Sequence, residues 1–208
     1  MALESGGVMA YKFRGSDLIV FDGQSLNIVP TVPLSFPTKV MATGITGTTS
    51  TNAGITATTW LERQGDVTQR VDRFLLSCSG TKTLIDTAGT RNINQSMTAA
   101  DIFAEASDYW QARRDAGFDQ IIALTVSPTT DFGTAPSAKL TILSAYNDLL
   151  RAAVGTELDG LTDLDDLIPQ LNNPNDATYY SDGTHYTDAA TTLIAPEVRT
   201  TYLAVLAG

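Results

Sequence analysis

Cysteine and histidine are almost absent from this chain of 208 residues, which contains one of each, Cys78 and His185. One cysteine cannot form an internal disulfide, and a zinc or iron–sulfur site built from several cysteines is excluded. A metal site with two histidines is excluded as well, so any imidazole chemistry must use His185. We expect Cys78 to be a small packed side chain rather than a nucleophile.

Long apolar runs and basic residues are also scarce. No stretch approaches the roughly 20 apolar residues that a membrane helix needs, and the first residues lack the apolar core of a signal peptide. Thirteen Lys and Arg against 23 Asp and Glu give a net charge of −10, which disfavours a general nucleic-acid binder. Hydrophobic residues make up 43% of the chain, enough for one packed domain. We expect a flexible arm over residues 1–10 and a single domain over residues 11–208.

Short apolar runs alternate with amphipathic segments along the chain. Strands are predicted at Asp17–Phe21, Thr83–Ala88 and Gln120–Val126, with weaker candidates at Lys39–Ala42 and Leu161–Leu167. Helices are predicted over residues 98–117, over residues 136–153 and from Thr187 onward. Pro196 is expected to kink or split the last helix. The alternation predicts an α/β fold with a mostly parallel sheet and helices on both faces, whose ligands bind where the strands end.

Four loops after predicted strands carry candidate chemistry: Phe21–Asn27, Gly44–Thr49, Ala88–Ile93 and Ser181–Tyr186. Ser25 stands in the first loop behind a glycine, which permits a tight turn. Asp182 and His185 stand three residues apart in the last loop. In one helical turn they would share a face, and the carboxylate would hold the imidazole tautomer. Each loop taken alone is equally compatible with an ordinary surface turn.

The four loops in this order resemble the conserved blocks of SGNH hydrolases, also called GDSL-like esterases. The first block is Gly23-Gln-Ser-Leu-Asn27, similar to the Gly-Gln-Ser-Asn form of a carbohydrate-esterase branch. Ile45–Ser50 resembles the second block and points to Gly47, and Asp182-Gly-Thr-His185 matches the last block fully. The third block departs from the pattern: Arg91 stands where the family has its asparagine, and Asn92 follows it. The resemblance spans about Asp17 to Leu206.

This resemblance implies a three-layer α/β/α sandwich with a central, mostly parallel five-stranded sheet of flavodoxin-like type. It implies a serine esterase that hydrolyses carboxylic esters without a metal or cofactor. Ser25 would be the nucleophile, His185 the general base, and Asp182 the residue that orients His185. The oxyanion hole would use the backbone N–H groups of Ser25 and Gly47. Its third donor is expected to be Asn92, and Arg91 is the rival candidate for that position. The alternative is that neither side chain takes part and the hole is formed by backbone N–H groups only.

The substrate and the biological setting are left open by the sequence. Tyr179, Tyr180 and Tyr186 would give stacking surfaces for a sugar, which favours acyl groups on a glycan or cell-envelope polymer; the alternative is that they pack the loop. The segment from Thr90 to Pro128 is similar to SGNH domains of bacteriophage virion and tail proteins. A structural virion protein with little or no turnover, bound to virion proteins or to itself, is therefore an alternative. A cytoplasmic acyl thioesterase is a third.

Overall fold

A computed structural model of the chain describes residues 8–11, 17–22, 39, 48–52, 72, 75, 79–87, 89–133 and 136–208. Three residues singled out above, Ser25, Gly47 and Cys78, lie outside these residues. The weak strand candidate at Lys39–Ala42 also lies outside them, apart from Lys39, whose backbone is helical. The loops that follow the remaining predicted strands are described almost completely.

One mixed sheet forms the centre of the described structure. Its strands are β1 (Val8–Tyr11), β2 (Leu18–Asp22), β3 (Thr48–Asn52), β4 (Lys82–Asp86), β5 (Gln120–Leu124) and β6 (Gly160–Thr162). They lie in the order β1-β3-β2-β4-β5-β6, and β2 to β6 are all parallel. The predicted mostly parallel sheet is confirmed, but the described residues form six strands rather than five. β1 adds an antiparallel edge strand on β3, so the prediction of an arm over residues 1–10 is wrong for residues 8–10. Pairing with β1 satisfies a strand edge that would otherwise be exposed.

The order of the parallel strands fixes where a ligand can bind. Chain order runs from β2 outward to β3 on one side, and to β4, β5 and β6 on the other, which is the flavodoxin-like order. The direction of winding therefore switches between β2 and β4. Asp22 and Asp86 end these two strands and are register partners. We call this end of the sheet, where the parallel strands finish, the carboxyl edge.

Helices cover both faces of the sheet, which confirms the three-layer sandwich. They are α1 (Thr90–Asn94), α2 (Ala99–Ala116), α3 (Pro136–Ala152), α4 (Leu164–Leu167) and α5 (Asp188–Ala207). Side chains on one face of the sheet, including Val20 and Leu84, share a core with α2 and α3. Those on the other face, including Phe21 and Ile85, share a core with α5. The strands are apolar on both faces because both faces are buried.

Local signals explain where the helices begin and end. The Thr98 hydroxyl caps α2 by accepting from the Asp101 N–H, and Gly117 ends it in a left-handed conformation at φ 114°. α5 continues through Pro196, so the predicted split does not occur. A proline inside a helix costs about 3 kcal/mol, and the buried face of α5 offsets that cost. That face includes Ile194, Val198 and Tyr202, each at most 1% exposed.

Candidate active site

The Asp182–His185 turn is held together by the carboxylate of its first residue. Asp182 Oδ1 accepts from the backbone N–H groups of Thr184 at 3.0 Å and His185 at 2.7 Å. Its other oxygen, Oδ2, lies 2.7 Å from His185 Nδ1. The segment is a series of bends rather than the helical turn that the spacing suggested, but it brings the two side chains together as predicted. Nε2 is consequently the ring nitrogen on the side away from Asp182.

The electrostatics of this pair suit an acid–base role. Burial raises the pKa of Asp182, but hydrogen bonds from the His185 backbone and ring and from the Thr184 N–H outweigh it and lower the pKa to about 2. The carboxylate is therefore ionised at neutral pH and can stabilise a protonated imidazole. The side chains of His185 and Asp182 are 37% and 54% exposed, so a substrate can reach the pair.

The turn lies at the carboxyl edge because it packs against the segment that follows β5. The Thr130 N–H donates to the Gly183 carbonyl at 2.9 Å. Gly183 has φ 80°, and a Cβ placed on it would overlap the Thr130 side chain. Glycine is therefore required there both for the backbone conformation and for the close approach. The structure places the predicted acid and base where ligands bind in this class of fold.

A lysine connects the segment between β2 and β3 to the helix that follows the turn. Lys39 Nζ donates to the Asp188 carbonyl at 2.8 Å, to Asp188 Oδ1 at 2.5 Å and to Thr192 Oγ1 at 2.6 Å. Asp188 begins α5 three residues after His185. In sequence, the β2–β3 segment is the one that contains Ser25 and Gly47. Lys39 itself is therefore joined to the helix that begins three residues after His185.

Two buried carboxylates at the carboxyl edge were missed by the sequence analysis. Asp22 and Asp86 are at most 2% exposed. The Tyr109 hydroxyl donates to Asp22 Oδ2, and Trp110 Nε1 donates to Asp86 Oδ2 at 2.7 Å. Consecutive residues of α2 thus fix the ends of the two central strands. The sequence does contain a signal for these contacts. An aspartate ends each of the two strands, and two adjacent aromatic residues with polar hydrogens, Tyr109 and Trp110, stand on α2.

A buried cation adjoins this aromatic pair. The Arg113 guanidinium lies 5.1 Å from the centre of the Tyr109 ring, and its Nε lies 3.6 Å from Asp72 Oδ1. Burial raises the pKa of Asp72, Arg113 partly offsets that effect, and Asp22 adds to it. Arg113 and Asp72 thus lie near Asp22, the last residue of β2. Asp22 stands three residues before Ser25 in the sequence.

The third block forms the short helix α1 directly after β4. Asn92 is 3% exposed, and its Nδ2 donates to Glu105 Oε2 at 3.4 Å and to Met97 Sδ at 3.5 Å. The contact with Glu105 is long for a hydrogen bond to oxygen, and the contact with Met97 is a weak one to sulfur. Arg91 is exposed. The described contacts of Asn92 are thus with α2 and the loop before it rather than with the Asp182–His185 turn.

The tyrosines around the turn have different environments. Tyr180 and Tyr186 are 2% and 3% exposed, with ring centres 5.4 Å apart. Their hydroxyls donate to the Leu171 carbonyl and to Ser127 Oγ, respectively. Burial raises the pKa of Tyr186 to about 12. The burial favours the alternative that these two rings pack the loop, which leaves the half-buried Tyr179 as the stacking candidate.

An open groove of about 810 Å³ lies at the opposite edge of the sheet. Its walls include Gln120 and Gly160, where β5 and β6 begin, and Thr201 and Val205 of α5. The groove is therefore separated from the Asp182–His185 turn by the length of the strands.

Within the described part of the chain, no group of three or more His, Cys, Asp and Glu is arranged to hold a metal ion. None of the helices in that part is long and apolar enough to cross a membrane.

Solved structures of lipolytic proteins of the G-D-S-L family have a similar fold. One such protein from Veillonella parvula superposes with a TM-score of 0.68 at 12% identity, covering 90% of this chain and 98% of that one. The esterase EstA from Pseudoalteromonas superposes with a TM-score of 0.63 at 12% identity, covering 93% of this chain and 100% of that one. The catalytic domain of peptidoglycan O-acetyltransferase A from Streptococcus pneumoniae superposes with a TM-score of 0.56 at 14% identity, covering 92% of this chain and 95% of that one.

Similarity at such low sequence identity establishes a shared fold only. The reaction must therefore be inferred from the residues of the site. At the level of sequence, neither a protein-family model nor a curated protein matches this chain.

Proposed function

We propose that the protein is a serine esterase that hydrolyses carboxylic esters with Ser25, His185 and Asp182. The observation that carries the proposal is the 2.7 Å contact between Asp182 Oδ2 and His185 Nδ1 at the carboxyl edge of the sheet. Solved structures of the same fold include a G-D-S-L lipolytic protein and an esterase, which supports the same class of reaction here. The contact of Lys39 with Asp188 supports the convergence of the Ser25 segment on this edge.

The reaction follows from the roles of these groups. Ser25 Oγ attacks the acyl carbon while His185 Nε2 takes the hydroxyl proton, and a tetrahedral intermediate forms. His185 then gives the proton to the leaving alcohol as the ester C–O bond breaks. A water molecule, deprotonated by His185, attacks the acyl-enzyme, which releases the carboxylic acid and restores Ser25. Asp182 holds the Nδ1–H tautomer throughout.

The oxyanion is proposed to be stabilised by the N–H groups of Ser25 and Gly47 and by a third donor from the block after β4. We assign that donor to Asn92, since its amide makes one long contact, to Glu105, and one with a weak acceptor, the Met97 sulfur, either of which the oxyanion can replace. Arg91 is the rival donor. One such donor typically contributes about 2.7–4 kcal/mol to the barrier.

The proposed substrate is an acyl group on a glycan or cell-envelope polymer. Two observations support it: the exposure of the Asp182–His185 pair, and the similarity of fold to the peptidoglycan O-acetyltransferase domain. Tyr179, half-buried beside the turn, is the proposed stacking surface. Neither the fold nor the similar structures named above support a role in a virion.

The test is covalent labelling with a fluorophosphonate, which reports nucleophile activation without knowledge of the substrate. Ser25→Ala should abolish labelling and p-nitrophenyl acetate hydrolysis. Ser144→Ala, at an exposed serine on α3, is the matched control and should behave like the wild type. A folded wild-type protein that neither labels nor hydrolyses the ester would overturn the proposal, and so would labelling that survives in Ser25→Ala.

A further inference from the structure

We propose that the segment Ser127–Thr130, which follows β5, is a clamp that positions His185, with Thr129 and Thr184 as positioning residues. The inference rests on the proposed function, in which His185 is the general base. It assigns to these threonines a role in the reaction although neither touches the ester.

Four contacts join the clamp to the Asp182–His185 turn and the residue after it. The Thr130 N–H donates to the Gly183 carbonyl at 2.9 Å, and the Thr130 hydroxyl donates to the Asp182 carbonyl at 3.4 Å. The Thr129 and Thr184 hydroxyl oxygens lie 2.5 Å apart. The fourth contact runs from the Tyr186 hydroxyl to Ser127 Oγ, at 3.0 Å. Residues on both sides of His185 are therefore joined to one segment, the one that follows β5.

Two of the four contacts are made by buried residues of the clamp, where water cannot easily replace the hydrogen bonds, whereas Thr130 is exposed. Ser127 and Thr129 are each 5% exposed. Thr129 Oγ1 also accepts from the Asp131 N–H at 3.1 Å, which fixes the position of its hydroxyl. A buried hydroxyl that loses its partner carries the full cost of desolvation. The clamp therefore has one favoured arrangement, and it imposes that arrangement on the turn.

The position of Nε2 depends on this arrangement. The His185 ring is linked through Asp182 to backbone N–H groups of the same turn, so a shift of the turn moves the carboxylate and the imidazole together. Proton transfer needs Nε2 within hydrogen-bond reach of the nucleophile. A displacement of about 1 Å can cost on the order of 100-fold in rate. A turn that is no longer held in one arrangement also lets water reach the contact between His185 Nδ1 and Asp182 Oδ2 more often, so its mobility can be read from the exchange of the Nδ1 proton.

The experiment compares variants that remove one hydroxyl with variants that keep it. Thr184→Val and Thr129→Val delete the hydroxyl–hydroxyl contact, whereas Thr129→Ser preserves it. Thr125→Val is the matched control: Thr125 is also buried after β5, but its hydroxyl bonds Asp163 instead of the turn. The measurements are kcat and KM with p-nitrophenyl acetate, and nitrogen-15 NMR of the imidazole. His185 is the only histidine, so the ring signals need no assignment.

The two valine variants are expected to lower kcat about tenfold with little change in KM, and to speed solvent exchange of the Nδ1 proton. Thr129→Ser and Thr125→Val should keep the wild-type kcat and exchange. The clamp is overturned if the valine variants keep both the wild-type kcat and the wild-type exchange, or if Thr125→Val causes the same losses. Because NMR reads the ring without turnover, an inactive wild type would refute the esterase proposal while the exchange rates still decide the clamp.

Discussion

Lys39 and Asp188 form an ion pair at 2.5 Å between residues that are 149 positions apart in the sequence. Lys39 follows the first proposed catalytic residue, Ser25, by fourteen positions, and Asp188 follows the last, His185, by three. In sequence, the pair therefore connects a residue of the segment that contains the proposed nucleophile to a residue near the proposed base. Its lysine also contacts Thr192 one turn further along α5.

Replacing Lys39 with methionine should lower kcat/KM about three- to tenfold, because the β2–β3 segment loses its link to α5. Exposed ion pairs are screened by salt, so the wild-type rate should fall toward the variant's rate as NaCl is raised. Lys82→Met is the matched control, since Lys82 pairs with Asp119 at the opposite edge with similar exposure. Equal losses in the two variants would show that the Lys39 link has no specific effect on the site.

Replacing Asp182 with asparagine should lower kcat about 10³- to 10⁴-fold, because an amide donor at Nδ1 selects the tautomer whose Nε2 carries a proton. Since the pKa of Asp182 is lowered to about 2, the carboxylate stays ionised from pH 4 to 9. Protonation of Asp182 should therefore make no contribution to a fall in kcat/KM within that range. Measurement of kcat/KM across this range checks both statements, and a variant with the wild-type rate would exclude the pair from the chemistry.

The sequence predicted the elements that are set by local periodicity. β2 and β5 each contain four consecutive apolar residues because they are buried on both faces, and α2 is delimited by Thr98 and Gly117. The Asp182–His185 pair was predicted because both members stand in one short turn, where spacing in sequence is close to spacing in space.

Features that depend on distant partners could not be predicted in this way. β1 exists because β3 offers it an edge, and the burial of Asp22 depends on Tyr109, 87 positions away. Tyr180 and Tyr186 were considered as stacking surfaces because nothing in the local sequence shows that Leu171 and Ser127 receive their hydroxyls. Pro196 lies within α5 because packing on the sheet outweighs a local preference.

Replacing Gly183 with alanine should lower kcat on the order of 100-fold, since the new Cβ overlaps Thr130 and the turn must move. Gly155→Ala is the control for backbone strain alone, because Gly155 has φ 86° with no atom within 4 Å of the new Cβ. That variant should lose stability and keep its kcat. The double variant Gly183→Ala with Thr130→Ala should recover part of the lost rate. A kcat unaffected by Gly183→Ala would mean that the turn tolerates displacement.

Replacing Arg151 with methionine should lower the free energy of unfolding by about 1–2 kcal/mol, the lower part of the range for charged hydrogen bonds because solvent reaches the guanidinium. Arg151 bonds both oxygens of Asp163, at 2.6 and 3.0 Å, and one of Asp165, at 2.8 Å. Arg151→Lys should retain part of the stability because a single ammonium makes fewer of these bonds.

The pH dependence of this stabilisation follows from Asp163. Burial raises the pKa of Asp163, but hydrogen bonds from Arg151 outweigh this effect and lower the pKa below the ordinary value of an aspartate. A lowered pKa in the folded state contributes stability above the unfolded value, and the contribution is lost as pH falls through the folded value. The difference between wild type and Arg151→Met should therefore be constant near neutral pH and shrink below about pH 3.8. Denaturant unfolding at several pH values measures it, and a difference that grows in acid would contradict this account.

Replacing Asn92 with alanine should lower kcat at saturating substrate by about 10²- to 10³-fold if its amide is the third oxyanion donor, as proposed. Glu105→Ala separates this role from a structural one, because it removes the partner of Asn92 Nδ2 and keeps the amide. We expect that variant to lose some stability and to retain kcat. Arg91→Ala should have little effect, since the guanidinium is exposed. A large loss in Arg91→Ala with a silent Asn92→Ala would assign the donor to Arg91 instead. If both variants keep the wild-type kcat, the hole is formed by backbone N–H groups, and Asn92 serves only to join α1 to α2.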